Sequence, residues 1–451
     1  MPRYVEEIEA DEHEERLERV AAIDVAKASA KVCIRVPHPS IKGRRVTKVF
    51  DVTSMTNAIM ALADELAESA IERTVIESTS DYWRPFFYLL EARGLVVWLV
   101  NARDVKNVPG RPKTDKLDAI WLAKLNERGM LRPSFVPPAE IRELRDYTRL
   151  RVDLVAERTR HAQRLEKLLE DSLIKISSVA SNILGVSGRE MIEALIAGER
   201  DPQVLAEMAR GRLRVKHAEL VEALTGRFDD HHAELARILL DEIDGLTAKV
   251  DQLTRRVDEL LARIPGAQPA LGEGGSATGR SPGDPARPSL SAIERLDEIT
   301  GIGIPGAQAI IAEVGLNMAQ FPTAGHLVSW AKVSPCTVQS GPKSRSGATG
   351  KGNPYLKRAL GEAAASAART DTFLGERYRR IARRRGKQRA LVAVARSILV
   401  VVWQLLSDPN ARFIDLGSDF YDKRINKDRR ARDLVRHLHA LGYRVTLSSA
   451  A

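Results

Sequence analysis

Three runs of β-branched and apolar residues follow one another before position 53, and their order limits the available folds more than any other feature. VAAIDVA, AKVCIRV and VTKVFDV are joined by short polar links, so they are expected to pair as hairpins. TSMTNAIMALADELAESA then reads as a helix, RTVIEST as a strand, DYWRPFFYLLEARG as a helix, VVWLVN as a strand and TDKLDAIWLAKLNERG as a helix.

The resulting order, β-β-β-α-β-α-β-α, is that of a ribonuclease-H-like, RuvC-like domain, assigned here to residues 1–139. In that arrangement the first and fourth strands lie side by side and a late helix packs across them. Each of these elements carries acids. Asp24 interrupts the apolar AAIDVA, where a carboxylate is costly unless it has a task. Glu77 ends the fourth strand, and Asp115 and Asp118 stand three residues apart, on one face of a helix. Four carboxylates brought together suit Mg2+, a hard cation that prefers oxygen ligands. Taken singly, Asp115 and Asp118 also fit a helix N-terminus and Glu77 a loop-facing acid.

The rest of the chain reads as mostly helical. From Leu239 to Ile264 apolar residues alternate at spacings of four and three, the pattern of a coiled coil, or of a long amphipathic helix packed within one subunit. Residues 140–264 are therefore expected to form a helical coiled-coil domain, as a hairpin or a dimerising stalk. Residues 265–290 hold five Pro and six Gly and read as a flexible linker. Residues 291–410 form a mostly helical domain, and 411–451 a basic extension with a helix and a short strand. The fold class is thus α/β plus α.

Charge separates these regions. The formal net charge is +10, but residues 331–396 carry sixteen Lys/Arg against three acids, so the remainder is slightly acidic. RYRRIARRRGKQR, residues 377–389, has eight bases and no acid, which favours multiple phosphate contacts over an ordinary solvated face. It is expected to be a basic helix, followed by a buried one in ALVAVARSILVVVWQLL. Cys33 and Cys336 are too few for a disulfide framework and have no zinc spacing, so a reducing cytosol is expected. The first 20 residues hold eight acids and three bases and resemble no secretory signal. No apolar stretch is expected to span a bilayer, which takes about 20 residues.

AAIDVAK, VIESTSDYW and KTDKLDA resemble the DEDD-type transposases of bacterial insertion sequences, the family of insertion sequence one hundred and ten. The resemblance extends to 296–360, where a Pro, a Ser-Gly pair and a Gly-rich basic stretch end in Gly-Asn before a helix. It places the family's nucleophilic serine at Ser340, in a loop with Lys343, Arg345 and Lys351. Ser334, Ser344 and Ser346 compete with it, because Lys332-Val333-Ser334-Pro335 stands where many members have Gly-Leu before the Pro. Upstream, Ile302-Gly303-Ile304 reads as a phosphate-facing turn or a tight turn between packed helices.

The resemblance implies a recombinase that cuts and rejoins DNA through a phosphoserine link. Asp24, Glu77, Asp115 and Asp118 would hold Mg2+. Lys343, Arg345, Lys351, Arg379, Arg380, Arg383, Arg384, Arg385 and Lys387 would grip nucleic acid. The serine loop has no base of its own, so completion by the acidic site implies that both domains cooperate, within one subunit or between two. Donor and target DNA, a structured bridge RNA and further copies of the chain, as a dimer or tetramer, are the implied partners; no membrane is. The alternatives are a Holliday-junction-type endonuclease, which needs the four acids but not Ser340, and a non-enzymatic nucleic-acid scaffold.

Overall fold

In the computed structural model the described residues are 17–77, 80–101, 114–269, 290–341, 343–424 and 427–447. The side chains of 115, 336–340, 343–346 and 427–430 lie outside that description. Two compact units meet between Val136 and Pro137.

The first unit is a five-stranded sheet of β1 (Val20–Val25), β2 (Ser29–Pro37), β3 (Arg45–Thr53), β4 (Arg73–Glu77) and β5 (Val97–Val100). Its order is β3-β2-β1-β4-β5. The first three strands pair antiparallel, as their short links require, and β4 and β5 add in parallel after helical crossovers. Strand alternation gives the sheet two apolar faces. Ala21, Ile23, Ile34 and Ile76 pack with α1 (Thr56–Glu68) and α2 (Trp83–Ala92). Ala22, Cys33, Val75 and Val100 pack with Ala119, Leu122 and Ala123 of α3 (Asp115–Glu127). Burial pushes the Cys33 thiol up to about 11 against the opposing pull of Arg35 and Lys124, so it is a packing residue rather than a reactive one.

The second unit opens with two long helices, α4 (Ala139–Asp171) and α5 (Asp230–Arg263), joined through shorter helical segments. They run antiparallel: Arg256 reaches Glu143, Arg158 reaches Thr247, and His232 lies near Asp171. Ile243, Leu246, Val250, Val257 and Leu260 of the heptad seam are buried, and the helix carrying them packs on α4 of the same chain. Of the expected linker, Pro265–Ala267 forms a 3-10 turn, and residues 270–289 lie outside the described residues.

Beyond it come α6 (Ala292–Asp297), α7 (Ile304–Val314) and α8 (Ala324–Trp330), then the hairpin of β6 (Pro335–Ser340) and β7 (Lys343–Thr349). The chain continues as α9 (Pro354–Ala367), α10 (Phe373–Arg385), α11 (Lys387–Ser407), α12 (Phe420–Lys423) and α13 (Lys427–Ala440).

Three expectations are corrected here. The 377–389 stretch is not one helix: Gly386, at φ +84°, ends α10 and starts α11, a left-handed conformation that glycine adopts without Cβ strain. α11 spans 21 residues and is, by length and composition, apolar enough to cross a membrane, because Arg396 is the one charge between Ala390 and Ser407. In this unit Ala390, Val394, Ile398, Val402 and Leu405 form its buried face. Finally, 443–447 is not a strand; among the described residues it has no strand partner to complete a ladder.

Candidate nuclease and strand-transfer sites

The acidic site follows from strand register. Asp24 and Glu77 are direct partners across the parallel pair β1–β4, so their Cα atoms lie about 4.8 Å apart. Their parity is that of Ala22 and Val75, which places both on the face covered by α3. Glu77 is 6% exposed and Asp24 half-buried.

What brings α3 across them is a clamp at its other end. Asn126, fully buried, donates from Nδ2 to the carbonyls of Ala21 (3.2 Å) and Arg73 (3.0 Å). Arg73 returns a 2.8 Å bond from Nε to Asn126 Oδ1 and lies 3.8 Å over the Trp98 ring. The C-terminal end of α3 is thereby fixed at the beginnings of β1 and β4. Asp118, eight residues earlier, lies about 12 Å back along the helix, and Asp24 about 10 Å along β1 from Ala21, so both stand away from the clamp, towards the ends where β1 and β4 finish and α3 begins. Asp118 shares the sheet-facing stripe with Leu122 and Asn126 and is half-buried. Thr114 caps the helix by accepting from the Leu117 N–H, and Asp118 N–H donates to the Thr114 carbonyl. Asp115 opens α3 one turn earlier; its side chain lies outside the described residues.

Sequence reasoning missed Arg73 and Asn126. Asn126 did carry a signal: a short amide on an apolar stripe is a poor helix residue unless it has partners. Arg73 carried none, since an arginine at a strand start is normally exposed.

The donor set suits a hard cation: the described members offer carboxylate oxygens only, on rigid elements. A second group, Asp229, His231 and His232 at the start of α5, has ligand atoms within 4.8 Å of one another. There His232 is engaged in helix capping, its Nδ1 accepting from the Asp229 N–H at 3.2 Å.

The expected serine loop is instead a strand end. Ser340 closes β6 and pairs with Lys343 across a turn begun by Gly341 at φ +57°. Ser344 and Ser346 sit further down β7, opposite Gln339 and Thr337. The side chains of Ser340, Lys343 and Arg345 lie outside the described residues. The exit of the hairpin is anchored. Asn353 caps α9 by accepting from the Tyr355 and Leu356 N–H groups, and its amide reaches Glu313. Glu313, 1% exposed on α7, accepts a bidentate pair from Arg149 of α4 at 2.7 and 2.8 Å. Burial would lower the Arg149 pKa, but this carboxylate more than offsets it and holds the guanidinium above its ordinary value.

Just before the Ile302-Gly303-Ile304 turn, Gly301, at φ +94°, has a packing reason to be glycine: a Cβ there would stand 2.3 Å from the Ala363 carbonyl oxygen of α9. Gly303 precedes α7.

The basic residues divide. Lys351, Arg383, Arg384, Arg385 and Lys387 are exposed. Arg379 is engaged within the unit, to Glu376 (2.8 Å), Asp371 (3.3 Å) and the Thr370 carbonyl (3.1 Å). Arg380 lies 4.4 Å over the ring of Tyr421, whose hydroxyl accepts from Arg377 at 3.0 Å. Segment counting could not separate these groups, because it ignores what each guanidinium faces.

Residues 21–174 match a transposase model of the DEDD type for IS110 elements, and residues 293–379 match the model described as Transposase IS116/IS110/IS902 family; together they span more than half of the chain. No curated protein matches. Among solved structures, Thermus thermophilus RuvC in complex with a Holliday junction substrate aligns at 12% identity, over 26% of this chain and 100% of that one, with a TM-score of 0.20. A second Thermus thermophilus RuvC structure aligns at 14% identity, over 26% and 99%, also with a TM-score of 0.20. The chain carries both transposase domains of the IS110 family and is a DNA transposase/recombinase enzyme.

Proposed function

We propose that this transposase moves an insertion sequence by cutting and rejoining DNA through a phosphoserine intermediate at Ser340, using Asp24, Glu77, Asp115 and Asp118 as a divalent-metal site. The observation that supports the acidic half is the in-register Asp24–Glu77 pair, with Asp118 on the helix that packs on that face of the sheet. A divalent cation such as Mg2+, bound at these oxygens, would polarise the phosphodiester and neutralise developing charge.

The hydroxyl of Ser340 attacks phosphorus, an O–P bond forms as the 3′ or 5′ strand oxygen leaves, and the serine proton passes to a base. Lys, Arg and Ser neighbours in the hairpin supply no such base at neutral pH. A carboxylate of the acidic set is the candidate acceptor. The second transesterification reverses the link onto another strand. Lys351, Arg383, Arg384, Arg385 and Lys387 stabilise the phosphates through charge, with Arg379 supporting the helix that presents them. Donor and target DNA are the substrates, and a bridge RNA paired with both is the proposed guide. The basic surplus of 331–396 supports it, since such a duplex is held by backbone and shape.

The test is a suicide DNA substrate. The wild-type chain should yield a covalent protein–DNA adduct that Ser340→Ala abolishes, and recombination should require the flanking noncoding RNA. An active Ser340→Ala chain would refute the serine mechanism, and metal-dependent nicking without an adduct would favour a junction-resolving endonuclease.

A further inference from the structure

A groove of about 980 Å³ lies in the second unit between the base of the β6–β7 hairpin and helices α10 and α11. Its floor is apolar: Val333, Ile381, Val392 and Ala393. Its helical wall carries Arg385, Arg389 and Arg396, all exposed, and among the described residues no acid lines it. Arg389 and Arg396 are seven residues apart on α11, so they stand on one face about 10 Å apart along the axis. Among the described residues, none of the three has an ion-pair partner, in contrast to Arg379. The opposite wall is Pro335, Gly347, Ala348 and Thr349, with Pro335 and Thr349 paired at the hairpin base. Ser340 lies five residues further along β6, about 17 Å away.

We propose that this groove binds an unpaired DNA strand a few nucleotides from the bond that Ser340 attacks, with phosphates on Arg385, Arg389 and Arg396 and bases against the apolar floor. The assignment rests on the serine reading for its relation to the reaction, but not for the binding itself. Charge complementarity selects a polyanion. The recessed floor selects an unpaired one: the bases of a duplex are stacked inside it and could not reach Val392 or Ala393, whereas the exposed faces of an unstacked strand can. The volume is at the upper end of the range for a ligand pocket and admits a nucleotide rather than a double helix.

The test uses full-length chain carrying Ser340→Ala, so that chemistry does not consume the probe. Fluorescence anisotropy compares a labelled oligothymidylate with a duplex of equal length, across a salt series. Arg389→Ala/Arg396→Ala should weaken oligothymidylate binding by about tenfold or more and flatten its salt dependence. Val392→Asp, at a residue 37% exposed, should weaken it similarly by placing a carboxylate on the floor, with the thermal melt unchanged. Duplex binding should change by less than about threefold in both. Equal weakening of both DNAs, marking a general phosphate surface, would overturn the proposal, as would no change in either. The two readings fail separately: an adduct at Ser340 of the wild-type chain on suicide DNA, with strand binding unchanged by the groove substitutions, sinks the groove alone, while selective loss of strand binding with no adduct on the wild-type chain sinks the serine mechanism alone.

Discussion

The acidic and basic regions of this transposase handle charge in opposite ways. Asp24, Glu77 and Asp118 sit on regular elements, two on adjacent strands and one on a helix anchored by a buried Arg–Asn clamp. Arg383, Arg384, Arg385, Lys387 and Arg389 sit exposed where α10 ends and α11 begins. A small cation needs its ligands held within fractions of an ångström, and the proposed donors stand where strand register leaves little freedom. Phosphate recognition tolerates solvated, mobile guanidinium groups, because most of its free energy comes from charge and counterion release.

That contrast can be broken at its strongest point first. Asp24→Asn keeps the shape and removes the charge, so strand cleavage should fall by about a thousandfold or more while the melt stays unchanged. If cleavage survived, the in-register pair would not be a metal site. The clamp comes next. Asn126→Ala removes one hydrogen-bond partner of the buried Arg73 guanidinium and the donors to the Ala21 and Arg73 carbonyls, and should cost about 1–3 kcal/mol in urea unfolding. It should also weaken Mg2+ dependence, because α3 no longer holds Asp118 in place.

Smaller effects sharpen the basic side. Arg384→Ala should reduce the slope of log affinity against log salt by about 1, whereas Arg379→Ala should leave the slope nearly intact and lower stability by less than about 1 kcal/mol. The reverse pattern would show that the internal contacts of Arg379 are not maintained. Smallest is an effect of pH. Burial raises the Glu193 pKa, but Arg237 and Arg189 more than compensate, so its carboxyl stays below the usual range. A depressed folded pKa means stability that is present above the unfolded value, about 4.3, and is lost as pH falls through the folded one. The melting temperature of Glu193→Gln should therefore fall less on acidification than that of the wild type. The difference should be well under about 1 kcal/mol, since the half-exposed pair is screened.

Much of the first unit was legible because each clue was local. β-branched runs with short links specify hairpins, and an acid inside AAIDVA is conspicuous against its neighbours. The clamp was not legible, because Arg73 and Asn126 are 53 residues apart and neither pattern names the other. In the second unit the heptad from Leu239 to Ile264 was plain, but a seam states only that a partner exists. Its partner here, α4, lies about 90 residues upstream in Arg158–Thr247. The hairpin was read as a loop because KSRSGAT has no apolar alternation and PCTVQS alternates only through Cys336 and Val338; the two strands pair across a turn begun by Gly341.

By itself the sequence determined the strand order, the location of the four acids on their elements and the concentration of bases in 331–396. These follow from side-chain period and charge, which act over a few residues. Only the tertiary structure decided that Asp24 and Glu77 face each other beneath α3, that Gly386 divides the basic stretch, and that Arg379 turns inward while Arg389 and Arg396 line a groove. Such outcomes depend on which distant surfaces exclude water together, and burial of that kind leaves no trace in local period or net charge.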